Sequence, residues 1–173
     1  MKNLNRTILV IMAVVAISLN SCKKDDDGGD GGGGAATGTV IAKVAGSNYN
    51  SDAALTSATR SEANGVSILV ITSNTMNGRN ISLSIMGGFE GVGSYNIGGG
   101  ANVFTTASYT EIDAANPMDA QTWSAPFDES VAGEMKVSEV TTTNVKGTFH
   151  FRGKNADGTF KEITEGSFNV NFQ

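Results

Sequence analysis

Cysteine occurs once in these 173 residues, at Cys22. No disulfide can form within the chain, so an exported domain must hold together by packing and sheet hydrogen bonds. Histidine also occurs once, at His150, and with one cysteine this leaves no zinc site of the usual nitrogen–sulfur type. Proline is confined to Pro117 and Pro126. No stretch of ten or more residues carries a helical apolar stripe, and parallel strands need helical crossovers of about that length, so an antiparallel arrangement is predicted. Positive charge is short as well: 12 Lys and Arg stand against 17 Asp and Glu, and the basic residues form no cluster. That excludes nucleic acid as a partner, because phosphate recognition needs clustered cations. Long hydrophobic runs are missing, since the best of them, Thr7–Leu19, is too short for the roughly 20 apolar residues of a membrane-spanning helix.

What that short run does suit is a signal peptide. Lys2 and Arg6 precede it with no acid, and Leu19-Asn20-Ser21-Cys22 follows it. This tetrapeptide resembles the lipobox of bacterial lipoproteins: an apolar residue three before the cysteine, a small residue directly before it, then the cysteine. Asn20 departs from the small residue usual at the middle position. The resemblance implies removal of residues 1–21 and a diacylglyceryl group on the Cys22 sulfur, with acylation of the freed amine. Two or more acyl chains anchor stably where one binds only marginally. Loss of Lys2 and Arg6 takes the formal charge from −5 to −7. Lys23-Lys24-Asp25-Asp26-Asp27 resembles the short charged export tag of surface-exposed lipoproteins of Bacteroidota, which implies an outer-membrane, cell-surface location, with the periplasmic face as the alternative. Gly28–Thr37 cannot bury apolar area and is expected to act as a tether. Counted from Lys23 it has a root-mean-square reach of roughly 20 Å. Asp25, Asp26, Asp27 and Asp30 lack the alternation and the closing glutamate of a calcium loop, so they read as a solvated acidic run.

From Gly38 to Gln173 the pattern has period two. Val40, Ala42 and Val44 share a face, Ala54–Arg60 is a weak strand, and Val66–Ser73 is apolar enough to be central. Asn77-Gly78 signals a hairpin, after which Ile81, Leu83 and Ile85 fix the register. Gly87–Gly100 is glycine-rich with Tyr95 and Ile97 alternating, Asn102–Glu111 is a strand, Ile112–Ala120 reads as a loop, and Thr122–Ala125 is a short strand carrying Trp123. Met135 and Val137 point inward from Glu134–Val140. Val145, Phe149 and Phe151 do so from Asn144–Arg152, with Lys146, Thr148, His150 and Arg152 opposite. Asn155–Gly158 is a turn. Thr159–Thr164 and Ser167–Phe172 follow, with Glu165-Gly166 as a bulge between them. The five phenylalanines from Phe149 to Phe172 are expected to form much of the core. Eight to ten antiparallel strands make an all-β sandwich, with a closed lipocalin-like barrel as the alternative.

Gly147-Thr148-Phe149 with Phe151, then Ile163-Thr164, Gly166, Phe168 and Val170, resembles the C-terminal half of a family of small uncharacterised Bacteroidota outer-membrane lipoproteins. That resemblance implies no activity, and its matching residues are of core and turn type.

The residues offer little catalytic chemistry. His150 sits on the polar face of its strand with no orienting acid or nucleophile in the sequence pattern. Glu129 with Glu134, or Glu162 with Glu165, could flank a glycosidic bond only across a cleft of about 5–9.5 Å. Nucleophile-elbow, phosphate-loop and dinucleotide fingerprints are missing. No catalytic residue, metal ligand or cofactor is therefore assigned. For binding, Tyr95, Tyr109 and Trp123 are the candidates, because exposed aromatics stack on sugars and anchor protein interfaces. The competing reading puts Trp123 in the core and the tyrosines at the sheet edge. The expectation is a lipid-anchored surface module that binds a glycan or protein or serves a structural role. The alternatives are a small carbohydrate-acting hydrolase with paired carboxylates, or a carrier of a small apolar ligand.

Overall fold

A computed structural model describes residues 34–100, 104–113 and 115–173. The expected signal peptide, Cys22 and most of the expected tether lie outside the described residues. Eleven strands follow one another: β1 (Thr39–Val44), β2 (Ser47–Asn50), β3 (Thr56–Ala63), β4 (Val66–Asn74), β5 (Arg79–Met86), β6 (Gly93–Gly98), β7 (Thr105–Asp113), β8 (Asn116–Ala125), β9 (Val131–Val140), β10 (Asn144–Lys154) and β11 (Phe160–Asn171). A single 3₁₀ turn, Ala53–Leu55, links β2 to β3.

The strands form one antiparallel sheet in the order β2-β1-β11-β10-β8-β7-β5-β4-β3. It branches at β10. Val145–Phe151 pairs with β9, which in turn pairs with β6, while Lys154 at the end of β10 pairs with Ser124 of β8. The sheet curls until its far edges meet. Ala58 of β3 bridges Phe172 in parallel, the Gln173 N–H donates to the Ala58 carbonyl at 3.0 Å, and the Tyr49 hydroxyl of β2 donates to the Ser73 carbonyl of β4 at 2.9 Å. The all-β, antiparallel class is as the period-two pattern predicts, and a sandwich or half-barrel fits this curled sheet.

One core fills the curl. Val40, Ala42 and Val44 enter it from β1, Leu69 and Ile71 from β4, Ile81, Leu83 and Ile85 from β5, and Val145, Phe149 and Phe151 from β10. Three core aromatics sit directly opposite a glycine on the neighbouring strand: Phe151 opposite Gly133, Phe168 opposite Gly147, and Phe149 opposite Gly166. A Cβ at Gly153 would likewise crowd the Trp123 backbone. Small-beneath-large pairing lets bulky rings lie flat over the sheet, the same device that rescues glycine in strands.

The outer faces differ in charge. Ser57, Thr72, Ser82, Ser108 and Ser124 form one cross-strand row from β3 to β8, and Thr59, Val70, Ser84 and Thr106 form the next. No charged side chain belongs to either row. The opposite outer face carries the ion pairs Lys43–Glu165 at 2.9 Å, Lys146–Glu139 at 3.0 Å and Arg152–Glu162 at 3.2 Å.

Several expectations change in the folded chain. β2 has only Tyr49 as an apolar residue and gave no period-two signal. It forms because Ala45 and Gly46 both take positive φ (47° and 82°), the two-residue hairpin geometry that returns the chain onto β1. Asn64 and Gly65 make the same turn between β3 and β4, so β3 continues to Ala63. Ile112–Ala120 is not a loop: β7 runs to Asp113 and β8 starts at Asn116, and a register shift after Glu111 absorbs the irregular sequence. Glu165, with φ 51°, does form the expected bulge, inside one continuous β11. Of the five C-terminal phenylalanines, Phe149, Phe151 and Phe168 are buried and Phe172 packs on the core. Phe160 lies on the surface beneath the Arg152 guanidinium, 3.9 Å from its ring centroid.

Candidate functional site

Two of the three aromatic candidates meet. Tyr109 of β7 and Trp123 of β8 are direct cross-strand partners, with ring centroids 6.0 Å apart. Strand alternation turns both inward, so both are buried. Tyr49 of β2 closes edge-on against Tyr109 at 6.4 Å, giving a file of three rings across the core. Cations cover both ends. The Arg79 guanidinium lies 5.5 Å from the Tyr49 centroid, and the Lys161 ammonium lies 3.9 Å from Trp123 and 5.3 Å from Tyr109. Glu111 links the parts. It accepts from the Tyr109 hydroxyl at 2.7 Å and pairs with Lys161 at 2.6 Å. Trp123 Nε1 donates to the Thr159 hydroxyl at 3.1 Å. Tyr95 belongs elsewhere. It is half-buried on Phe89 at 5.8 Å, and its hydroxyl donates to the Gly91 carbonyl while accepting from the Glu90 N–H.

The electrostatics follow from this packing. Partial burial pushes the Glu111 carboxyl up, but Lys161 and the Tyr109 hydroxyl outweigh it and hold the carboxyl below the usual range. Burial first, then the Glu111 carboxylate, pushes the Tyr109 phenol far up, so it stays a neutral donor. Burial likewise raises Tyr49, partly offset by its hydrogen bond with Ser73. Two aromatic faces and a carboxylate are the set that recognises an ammonium ion, and here the chain's own Lys161 fills it. The indole and phenol faces are therefore already used.

Because the Glu111 pKa is depressed on folding, its contribution is complete above the ordinary carboxylate range and is lost as pH falls through the depressed value. Glu111→Gln should lower stability by about 1 kcal/mol or less at neutral pH. Urea melts across pH should show the gap between variant and parent closing as pH falls below the ordinary carboxylate range. A gap that widens in acid would contradict the ion-pair assignment.

Arg79, Glu111 and Lys161 carry no sequence signal of their own. Tyr109 and Glu111 stand two apart, which puts them on one strand face. Lys161 reaches them only because β11 passes across the curl. Of the carboxylates considered for glycoside chemistry, Glu162 holds Arg152, Glu165 holds Lys43, and Glu134 lies opposite His150 on the outer face of β9 and β10. Among the described residues, no group of three His, Cys, Asp or Glu side chains is placed to hold a metal.

The model of a domain of unknown function, DUF6252, matches residues 39–170, from the first residue of β1 to the last but one of β11. No curated protein and no solved structure matches the chain.

Proposed function

The chain belongs to that family of unknown function, and from this premise we propose that it is an outer-membrane lipoprotein of the Bacteroidota type, displayed at the cell surface. Its β-domain acts by binding or as a structural component and not by catalysis. The observation that carries the reading is Leu19-Asn20-Ser21-Cys22, standing between an h-region and an acidic, glycine-rich run. The folded domain lends support because its core is continuous from β1 to β11, and the described residues just before β1 lie along β11. Among the bonds that hold them there are the Ala35 N–H to the Ser167 hydroxyl at 3.0 Å, the Asn169 amide to the Ala35 carbonyl at 3.2 Å and the Gly38 N–H to the Asn169 carbonyl at 2.7 Å. A non-catalytic role is favoured by the surface ion pairs that occupy Glu162 and Glu165. The uncharged hydroxyl rows of β3, β4, β5, β7 and β8 suit a neutral partner such as a glycan or an uncharged protein face.

Cys22→Ala is the test. In cells fed radioactive palmitate, the parent should be labelled and sediment with the outer membrane. The variant should be unlabelled and accumulate as precursor or in the soluble fraction. Equal labelling of the two would remove the anchor from this account.

A further inference from the structure

We propose that two copies of this chain pair edge to edge through β3, in one antiparallel register centred on Ser61.

The free edge is short and well defined. The Gln173 N–H bonds to the Ala58 carbonyl, so the backbone of Ala58 faces outward from the sheet and the C-terminus already covers that position. The Asn64-Gly65 turn closes the other end. Thr59–Ala63 is left, paired with β4 on one side, exposed, and with no strand on the other among the described residues. Alternation along a strand means that Arg60 and Glu62, like Ala58, aim their N–H and C=O groups at the open side. Such an edge is a template for another strand.

Two facts select the partner and the register. In an antiparallel pair, the residues that exchange both backbone bonds must both face the edge. Arg60 opposite Glu62 of the second copy satisfies that rule, and two-fold symmetry then gives Glu62 opposite Arg60 of the second copy. Each cation meets an anion twice over. Sliding the register by two residues either way sets Arg60 against Arg60 or Glu62 against Glu62, which like charge disfavours. The chosen register uses all five free residues: Thr59 faces Ala63, and Ser61 faces Ser61. Arg60 is already steadied over the Phe89 ring, 5.7 Å from its centroid. Thr59 and Ser61 carry no charge, so the uncharged outer rows continue from one copy into the next without repulsion.

Four backbone bonds and two ion pairs make a weak contact between free molecules. Confinement to a membrane plane raises effective concentration, so the strength of the pairing, though not its geometry, rests on the lipid-anchored reading.

The test uses the full chain in membranes. Residues that face each other without exchanging backbone bonds have Cα atoms about 4.5 Å apart, inside disulfide range. Under mild oxidation, Ser61→Cys should give a disulfide-linked dimer at least fivefold more abundant than Thr59→Cys. Adding Arg60→Glu should cut that yield fivefold or more, and adding Glu62→Arg on top should restore it, with unchanged melting of each variant. Equal yields at the two positions, no dimer, indifference to charge reversal, or capture of a different protein would each overturn the pairing. A dimer from the parent chain would report a free thiol at Cys22. That result sinks the anchor alone, and the edge is then read in the same variants carrying Cys22→Ser.

Discussion

Gly133→Ala should destabilise the domain by about 3 kcal/mol, at the upper end of what overpacking costs. Gly133 lies in β9 opposite Phe151, and an added Cβ would fall on the His150 carbonyl oxygen and the Phe151 Cα. These are backbone atoms in a paired strand, so neither can swing aside. Gly93 in β6 is the control: its added Cβ would meet only the Tyr95 ring, at 3.7 Å or more, an ordinary contact. Since urea slopes for small domains are about 1–3 kcal/mol per molar, the Gly133 variant's midpoint should fall by 1 M or more and the Gly93 variant's should hardly move. Equal shifts would mean that Gly133 serves some purpose other than leaving room for its neighbour's ring.

The second large effect comes from the ring itself. Phe151→Ala should cost about 3–5 kcal/mol, since Phe151 is fully buried between strands that cannot collapse into the space. Phe160→Ala removes the same atoms from a position 41% exposed. Its loss should be about 1 kcal/mol or less, chiefly contact with Arg152 and Phe127. Thermal melts of the two variants side by side decide the point. Comparable drops would place Phe160 in the core and contradict the curl of the sheet around β10 and β11.

The contrast between these phenylalanines marks what could be read from sequence. Phe149, Phe151, Phe168 and Val170 alternate cleanly, so their face was legible. Phe160 breaks that pattern because its strand is bulged at Glu165, and the bulge resets which residues face inward on either side of it. Ile81, Leu83 and Ile85 were legible for the same reason as Phe149. β2 was not, because three of its four residues are polar and only the tight turn before it enforces pairing. The β7–β8 hairpin was hidden by Pro117 and by the register shift after Glu111. The aromatic file was half legible. Tyr109 and Trp123 stood out by residue type, and Glu111 stands two residues from Tyr109 on the same strand, but Arg79 and Lys161 come from strands β5 and β11. Nothing local announces these two cations, since their meeting with the rings depends on how far the sheet bends. Tyr95 looked equivalent to Tyr109 in sequence, but it lies half-buried on Phe89 with its hydroxyl held by its own loop.

The branching of the sheet at β10 has a mechanical consequence. β10 holds β9 and β11 along its length and touches β8 at its end, so it is a common member of both halves. Neither half can peel away while the other stays intact. Amide protons in the middle of β10 and β11 should therefore exchange with solvent only when the whole domain opens, while those of the rim strands β2 and β6 exchange through local fraying. At the surface location proposed above, beyond the reach of chaperones, the domain gains from that arrangement. Damage at its margins need not spread to the strand that joins its two sides.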